Sequence, residues 1–124
     1  MMSTGLIQFG AHTHHHAILS LLPRRQQIEE ISRSIDAVQG ITGRPCEYFA
    51  YPSSQAKHYD MDIIRLLQSH KIRGAVTGIP EPNYRTTAVM ELSRYGIGYD
   101  ATLAYFQLKV HHLIAHARRL ISAN

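Results

Sequence analysis

One cysteine, Cys46, stands among 124 residues, so no internal disulfide can form and a reducing compartment suits the chain. No apolar run reaches the roughly 18 residues that a membrane-spanning helix needs. The N-terminus also lacks a basic segment followed by an apolar core, so neither a membrane span nor a signal peptide is encoded, and a cytoplasmic location is the default expectation. Low-complexity tracts and internal repeats are missing too, which with 44% hydrophobic and 18% charged residues excludes a disordered chain. The formal charge is +4 and the pI about 9.5, but the thirteen Lys and Arg are scattered, with only Arg24-Arg25 and Arg118-Arg119 adjacent. Such scatter gives no stripe that could track phosphates, so nucleic acid is not an expected partner. Aspartates are few: Asp36, Asp60, Asp62 and Asp100, none of which precedes the first histidine.

What is present fits one globular unit, and residues 1–124 are read as a single domain. Gly5 to Ala11 (GLIQFGA) is a short apolar run bounded by glycines and reads as a strand. After Pro23, the recurrence of Ile28, Ile31, Ile35 and Val38 at three- and four-residue steps predicts an amphipathic helix that ends at Gly40 or Gly43. Glu47 to Tyr51 (EYFAY), stopped by Pro52, predicts a buried strand. Asp60 caps a second predicted helix carrying Ile63, Ile64 and Leu67, and Arg73 to Thr77 predicts a third strand. Strands alternating with helices imply parallel pairing and an α/β architecture. A last helix is expected from Asp100 to about Ser122, with an apolar stripe that needs a surface to cover.

Four of the nine histidines fall in the stretch His12-Thr13-His14-His15-His16, directly after the first strand, where parallel sheets place their ligand sites. His12 and His16 are four apart, so a helical turn after the strand sets both imidazoles toward one cation such as zinc, while His14 and His15 point elsewhere. An exposed polar loop is the plainer alternative for the cluster. Elsewhere the plain interpretation is the stronger one. His112 and His116 share the same spacing but, with Arg118 and Arg119, suit a cationic helix end. His58 and His70 read as solvated positions, and Tyr48, Phe49 and Tyr51 as alternate residues of a buried strand rather than a sugar-stacking surface.

The segment GAHTHHHAILSLL resembles the second motif of the polysaccharide deacetylases, the chitooligosaccharide deacetylase-like carbohydrate esterases, whose pattern His-Thr/Ser-x-x-His is filled by His12, Thr13 and His16. TGRPCEYFAYP, from Thr42 to Pro52, is similar to the family's third conserved region, and HKIRGAVTGIPEPN to the strand and loop that follow it. The resemblance implies a distorted (β/α) barrel, here partial and truncated. It further implies a divalent metal, zinc by preference, held by His12 and His16, with Thr13 steadying their loop. Tyr51, Pro52 and Ser53 would line the substrate groove, and the backbone N–H of Ser53 would donate to the oxyanion. Amide hydrolysis needs these parts: a Lewis acid, an activated water and a donor aimed at the developing charge.

Three departures set the expectations further. The family's first motif, a strand ending in two aspartates, would lie upstream of His12, so the domain is expected to be incomplete, with self-association or a missing N-terminal segment completing it. Glu47 stands where many members have an arginine, and Ser53-Ser54 where a Tyr-Gly pair often follows the proline. No leucine-rich strand ending in histidine occurs near the C-terminus. The expected function is metal-dependent removal of acetyl groups, cleaving a non-peptide C–N bond, from a polysaccharide or N-acetylated oligosaccharide, with the isolated chain inactive if the aspartates are absent. The alternative is a catalytically dead remnant that binds glycan or a partner chain.

Overall fold

The isoleucine recurrence after Pro23 forms a helix, α1, Arg24–Thr42, in a computed structural model that describes residues 6–52, 55 and 58–111. Pro23 is its N-cap, and Gly43, left-handed at φ 64°, donates its N–H to Gln39 O and closes the helix; Gly40 lies inside it. The buried face is rotated from the expected one. Gln27, Ile31, Ser34 and Ile35 turn inward, whereas Ile28 is 42% exposed. Gln27 is drawn in because its amide donates to Leu19 O and Leu22 O, both at 3.1 Å, closing off the short 3-10 helix Leu19–Leu21.

Three further elements follow in the order the sequence suggests: β1 (Tyr48–Ala50), α2 (Met61–Ser69) and β2 (Gly74–Val76). Asp60 caps α2 by accepting from Ile63 N at 2.8 Å. β1 and β2 pair in parallel, with Phe49 opposite Ala75, so the unit is a βαβ crossover. Hydrogen bonds alternate sides along each strand. Tyr48 O and Ala50 N bond Ala11, while Glu47 O and Tyr51 N bond the β2 side. Beyond β2, Ala75 and Thr77 bond Val89 and Leu92 in the same way. Four parallel tracks therefore lie side by side: Ala11, β1, β2 and Leu92. Among the described residues, the first expected strand is represented by the bridge at Ala11; residues 6–10 lead up to it, with Leu6 87% exposed.

Strand alternation divides the sheet into two faces. Ala11, Phe49, Tyr51, Ala75 and Thr77 are buried in the core with Ile31 and Ile35 of α1 and Ile63, Ile64 and Leu67 of α2. Full burial of side chains such as Ile31, Ile63 and Leu67 (each 0% exposed) contributes roughly 1.5–3 kcal/mol apiece. Gly10, His12, Tyr48, Ala50, Gly74 and Val76 line the opposite side, which opens into a cavity of about 520 Å³ closed on one flank by Val89 and Leu92. Gly10 permits this spacing, since a Cβ there would stand 2.8 Å from Tyr48 O.

The last helix differs most from expectation. α3 spans Leu103–Val110, capped by Thr102, and none of its residues is buried: Leu103 is 71% exposed and Val110 51%. Its apolar side chains stay exposed; the rest of the expected helix, with His112 and His116, lies outside the described residues. Among the described residues no helix is long and apolar enough to cross a membrane.

Candidate metal centre

His12 follows Ala11 off the carboxyl end of its track and is held at once. Its Nδ1 lies 2.7 Å from Ala50 O, at the end of β1. A carbonyl only accepts, so this nitrogen is the donor, and in the neutral ring the lone pair is then on Nε2. Metal-ligating imidazoles are oriented in this way, with the second ring nitrogen donating to a carbonyl or carboxylate.

The chain does not then enter a helical turn. Thr13 and His16 take left-handed backbone conformations, φ 59° and 60°, with a bend at His14 and His15 between them. For non-glycine residues each costs about 1–2 kcal/mol. The outcome resembles what the four-residue spacing suggested by another route, because the rings of His12 and His16 approach to 4.7 Å between centroids, at 73° to one another. Two imidazoles on one tetrahedral zinc, each nitrogen ~2 Å from the ion, have centroids roughly 5 Å apart. The separation of the two rings is close to that spacing. Among the described residues no third His, Cys, Asp or Glu joins them.

Thr13 points the other way from His12 and is 8% exposed; its Oγ1 is buried with no hydrogen-bond partner among the described residues. Whatever steadiness Thr13 gives the loop here comes from its packing and backbone, not its hydroxyl. His14 and His15 point away from the pair, as the spacing suggested. Their rings meet edge-on at 4.5 Å, and His15 engages Glu30 of α1. Glu30 Oε2 accepts from the N–H groups of His14 (2.9 Å) and His15 (2.8 Å), and Oε1 lies 2.6 Å from His15 Nδ1. Partial burial tends to raise the Glu30 pKa, but the His15 ring and the two amides outweigh it and hold the carboxyl below its ordinary range. Sequence inspection missed this residue. One signal was available, because Glu30 sits between Gln27 and Ser34 on the polar flank of the helix face that turns inward.

At the end of β1, the ring of Tyr51 is 1% exposed, not open to a groove: its hydroxyl donates to Met90 O at 3.0 Å, and it stacks on Tyr59 at 4.3 Å. Burial, with Tyr59 and Glu91 nearby, pushes the Tyr51 hydroxyl well above its usual range. Burial together with the Glu91 carboxylate raises Tyr59 to about 12. Pro52 is buried as well. Ser53 and Ser54 lie outside the described residues, so the expected oxyanion donor has no structural account. Glu47, in the place of the family's arginine, pairs with Arg73 at 3.1 Å, at the amino ends of the strands and away from the histidines. His70 lies 3.5 Å from Ser32 Oγ, against α1.

No curated protein matches the chain. The family model described as polysaccharide deacetylase matches residues 1–75, which takes in the histidine loop, α1, Glu30, β1 and α2. With three fifths of its length matched, histidine pair included, this chain belongs to the polysaccharide deacetylase family.

Proposed function

We propose that the protein removes acetyl groups from an N-acetylated polysaccharide through a divalent metal, zinc by preference, held by His12 Nε2 and an imidazole nitrogen of His16. Membership of the family implies a (β/α)-barrel type of domain and hydrolase chemistry of the carbohydrate esterase kind. The observation that carries the metal assignment is the approach of the two rings to 4.7 Å with His12 Nδ1 already committed to Ala50 O. When bound, such an ion polarises the acetyl carbonyl and activates water. The reaction breaks the amide C–N bond and yields acetate and a free amine. In this assignment Thr13 packs beneath the loop, Tyr51 and Pro52 contribute backbone to the groove while their side chains stay in the core, and the Ser53 N–H donates to the oxyanion.

Structural and catalytic zinc sites alike use at least three protein ligands. We assign the third to an acidic residue beyond the described ones, on a strand that pairs along the side of Ala11 that has no strand partner among the described residues and extends the four tracks toward a barrel, supplied by a preceding segment or a second copy. Supporting this are the exposed Leu6, Ile7 and Phe9 and the open cavity under Tyr48. The two-histidine donor set also favours a second role, a deacetylase remnant that binds glycan or a partner chain. Zinc titration of the purified chain against a His12→Ala, His16→Ala double variant, with acetate release measured from an N-acetylated oligosaccharide, separates them. Histidine-dependent zinc binding with acetate release supports the enzyme. Histidine-dependent binding without acetate release supports the remnant, and equal zinc binding by both proteins refutes the metal site.

A further inference from the structure

Glu29 and Glu30 are neighbours on α1 with opposite surroundings. The side chain of Glu29 is 57% exposed and pairs with Arg33 one turn along, an ordinary solvated helix contact. That of Glu30 is 12% exposed and reaches across fifteen residues of chain to the histidine loop. Its two oxygens are used separately: one receives both amides of the bend, and the other meets the His15 ring. Charge-assisted bonds of this kind are the stronger class, and three of them on one carboxylate fix the position of a short segment closely.

The two candidate ligands are anchored unequally. His12 has the Ala50 carbonyl behind it, while no hydrogen bond holds the ring of His16 among the described residues, and His16 is exposed. The placement of His16 therefore depends on the backbone between Thr13 and His16, whose two left-handed residues need outside support to persist. That support is the pair of amides bound by Glu30. The geometry points to Glu30 as the positioning residue for His16: it clamps the His14–His15 bend to α1 so that His16 meets His12. His12 is thus anchored by the sheet, and the bend that carries His16 by the helix. This assignment rests on the reading that His12 and His16 share a metal.

The test is zinc titration by calorimetry on the full chain, with Co²⁺ visible absorption as the spectroscopic signature and backbone amide exchange at His14 and His15 as a readout independent of activity. The variants are Glu30→Ala, Glu30→Gln, Glu29→Ala and His12→Ala. Loss of groups that orient a ligand weakens metal binding by about 10–100-fold. Glu30→Ala should fall in that range, lose the tetrahedral Co²⁺ band and speed exchange at both amides. Glu30→Gln, which keeps an acceptor but not the charge, should fall between it and the parent, and Glu29→Ala should match the parent. If His12→Ala binds zinc as well as the parent, the metal assignment itself fails. If His12→Ala loses zinc while both folded Glu30 variants keep parental affinity, the positioning role alone fails. Should Glu30→Ala not fold, Glu30→Gln decides in the same way. Failure of both to fold makes Glu30 a residue of the fold and overturns the proposal.

Discussion

Replacing Gly10 by alanine tests how closely the first track must approach β1. The new methyl would stand 2.8 Å from Tyr48 O, 3.1 Å from Tyr48 C and 3.3 Å from Tyr48 Cβ, and two of these are backbone atoms with no rotamer to adopt. Relief requires moving the track, which strains Ala11 N–H to Tyr48 O (2.9 Å) and Ala50 N–H to Ala11 O (2.8 Å). Overpacking of this kind costs about 1–3 kcal/mol, and a weakened backbone hydrogen bond adds roughly 1 kcal/mol. Alanine's restriction of the unfolded chain returns about 0.4–1 kcal/mol, so the net loss is about 1–3 kcal/mol. For a domain of this size that is a fall in Tm of roughly 3–12 °C. Gly40→Ala is the matched control, since it lies inside α1 with nothing within 4 Å of the added carbon. It should stabilise by about 0.5–1 kcal/mol. Urea unfolding of the three proteins with equal m-values decides the matter. A Gly10→Ala variant within 0.5 kcal/mol of the parent would refute the close approach, and with it the claim that His12 is delivered to Ala50 by that pairing.

Asp60→Ala removes the acceptor of Ile63 N and should cost about 0.5–2 kcal/mol in urea unfolding, with Asp60→Asn recovering most of the loss. Tyr59, raised to about 12, and Tyr51, also raised, stay protonated in the folded protein after the unfolded chain has begun to lose these protons. Their contribution is therefore complete below about pH 10 and lost as pH rises from there toward 12. Unfolding midpoints from pH 8 to 12 should fall in the parent and fall less in Tyr59→Phe; parallel curves would contradict the shift. Glu30 has the opposite sign: its carboxyl is held below its ordinary 4.5, so its stabilisation is present above that pH and lost as the solution is acidified through the folded value. The deficit of Glu30→Gln against the parent should shrink between pH 6 and pH 3, and a constant deficit would exclude an ionised brace.

Features set by local chemistry were legible from residue order. Gly43, one of the two glycines expected to end α1, Asp60 and the aromatic run before Pro52 marked the end of α1, the start of α2 and the place of β1, because caps and strand patterns act over a few residues. The rotation of α1 was not legible, since burial of Gln27 over Ile28 depends on carbonyls at Leu19 and Leu22 that no helical period encodes. The first strand was over-read because an apolar run shows a tendency to pair, and among the described residues of that run Ala11 forms the bridge to β1. At the site, spacing suggested that the rings of His12 and His16 meet, and they do, though not for the reason the spacing offered. Two left-handed residues, not a helical turn, bring the rings together, and the carboxylate bracing the bend lies fifteen residues away. The α3 stripe was visible as a pattern, but a pattern does not specify the surface it will meet.

Near the middle of the sheet, parity sorts the residues by task. Odd numbers in the three tracks, from Ala11 through Phe49 and Tyr51 to Ala75 and Thr77, answer to the helices, and exchange there should be judged by folding. Even numbers, from His12 through Tyr48 and Ala50 to Gly74 and Val76, answer to whatever occupies the other side, while Gly10, pressed against the Tyr48 backbone, is the exception. A saturation scan of this chain should alternate residue by residue between loss of protein and loss of function, and His12 belongs to the second series.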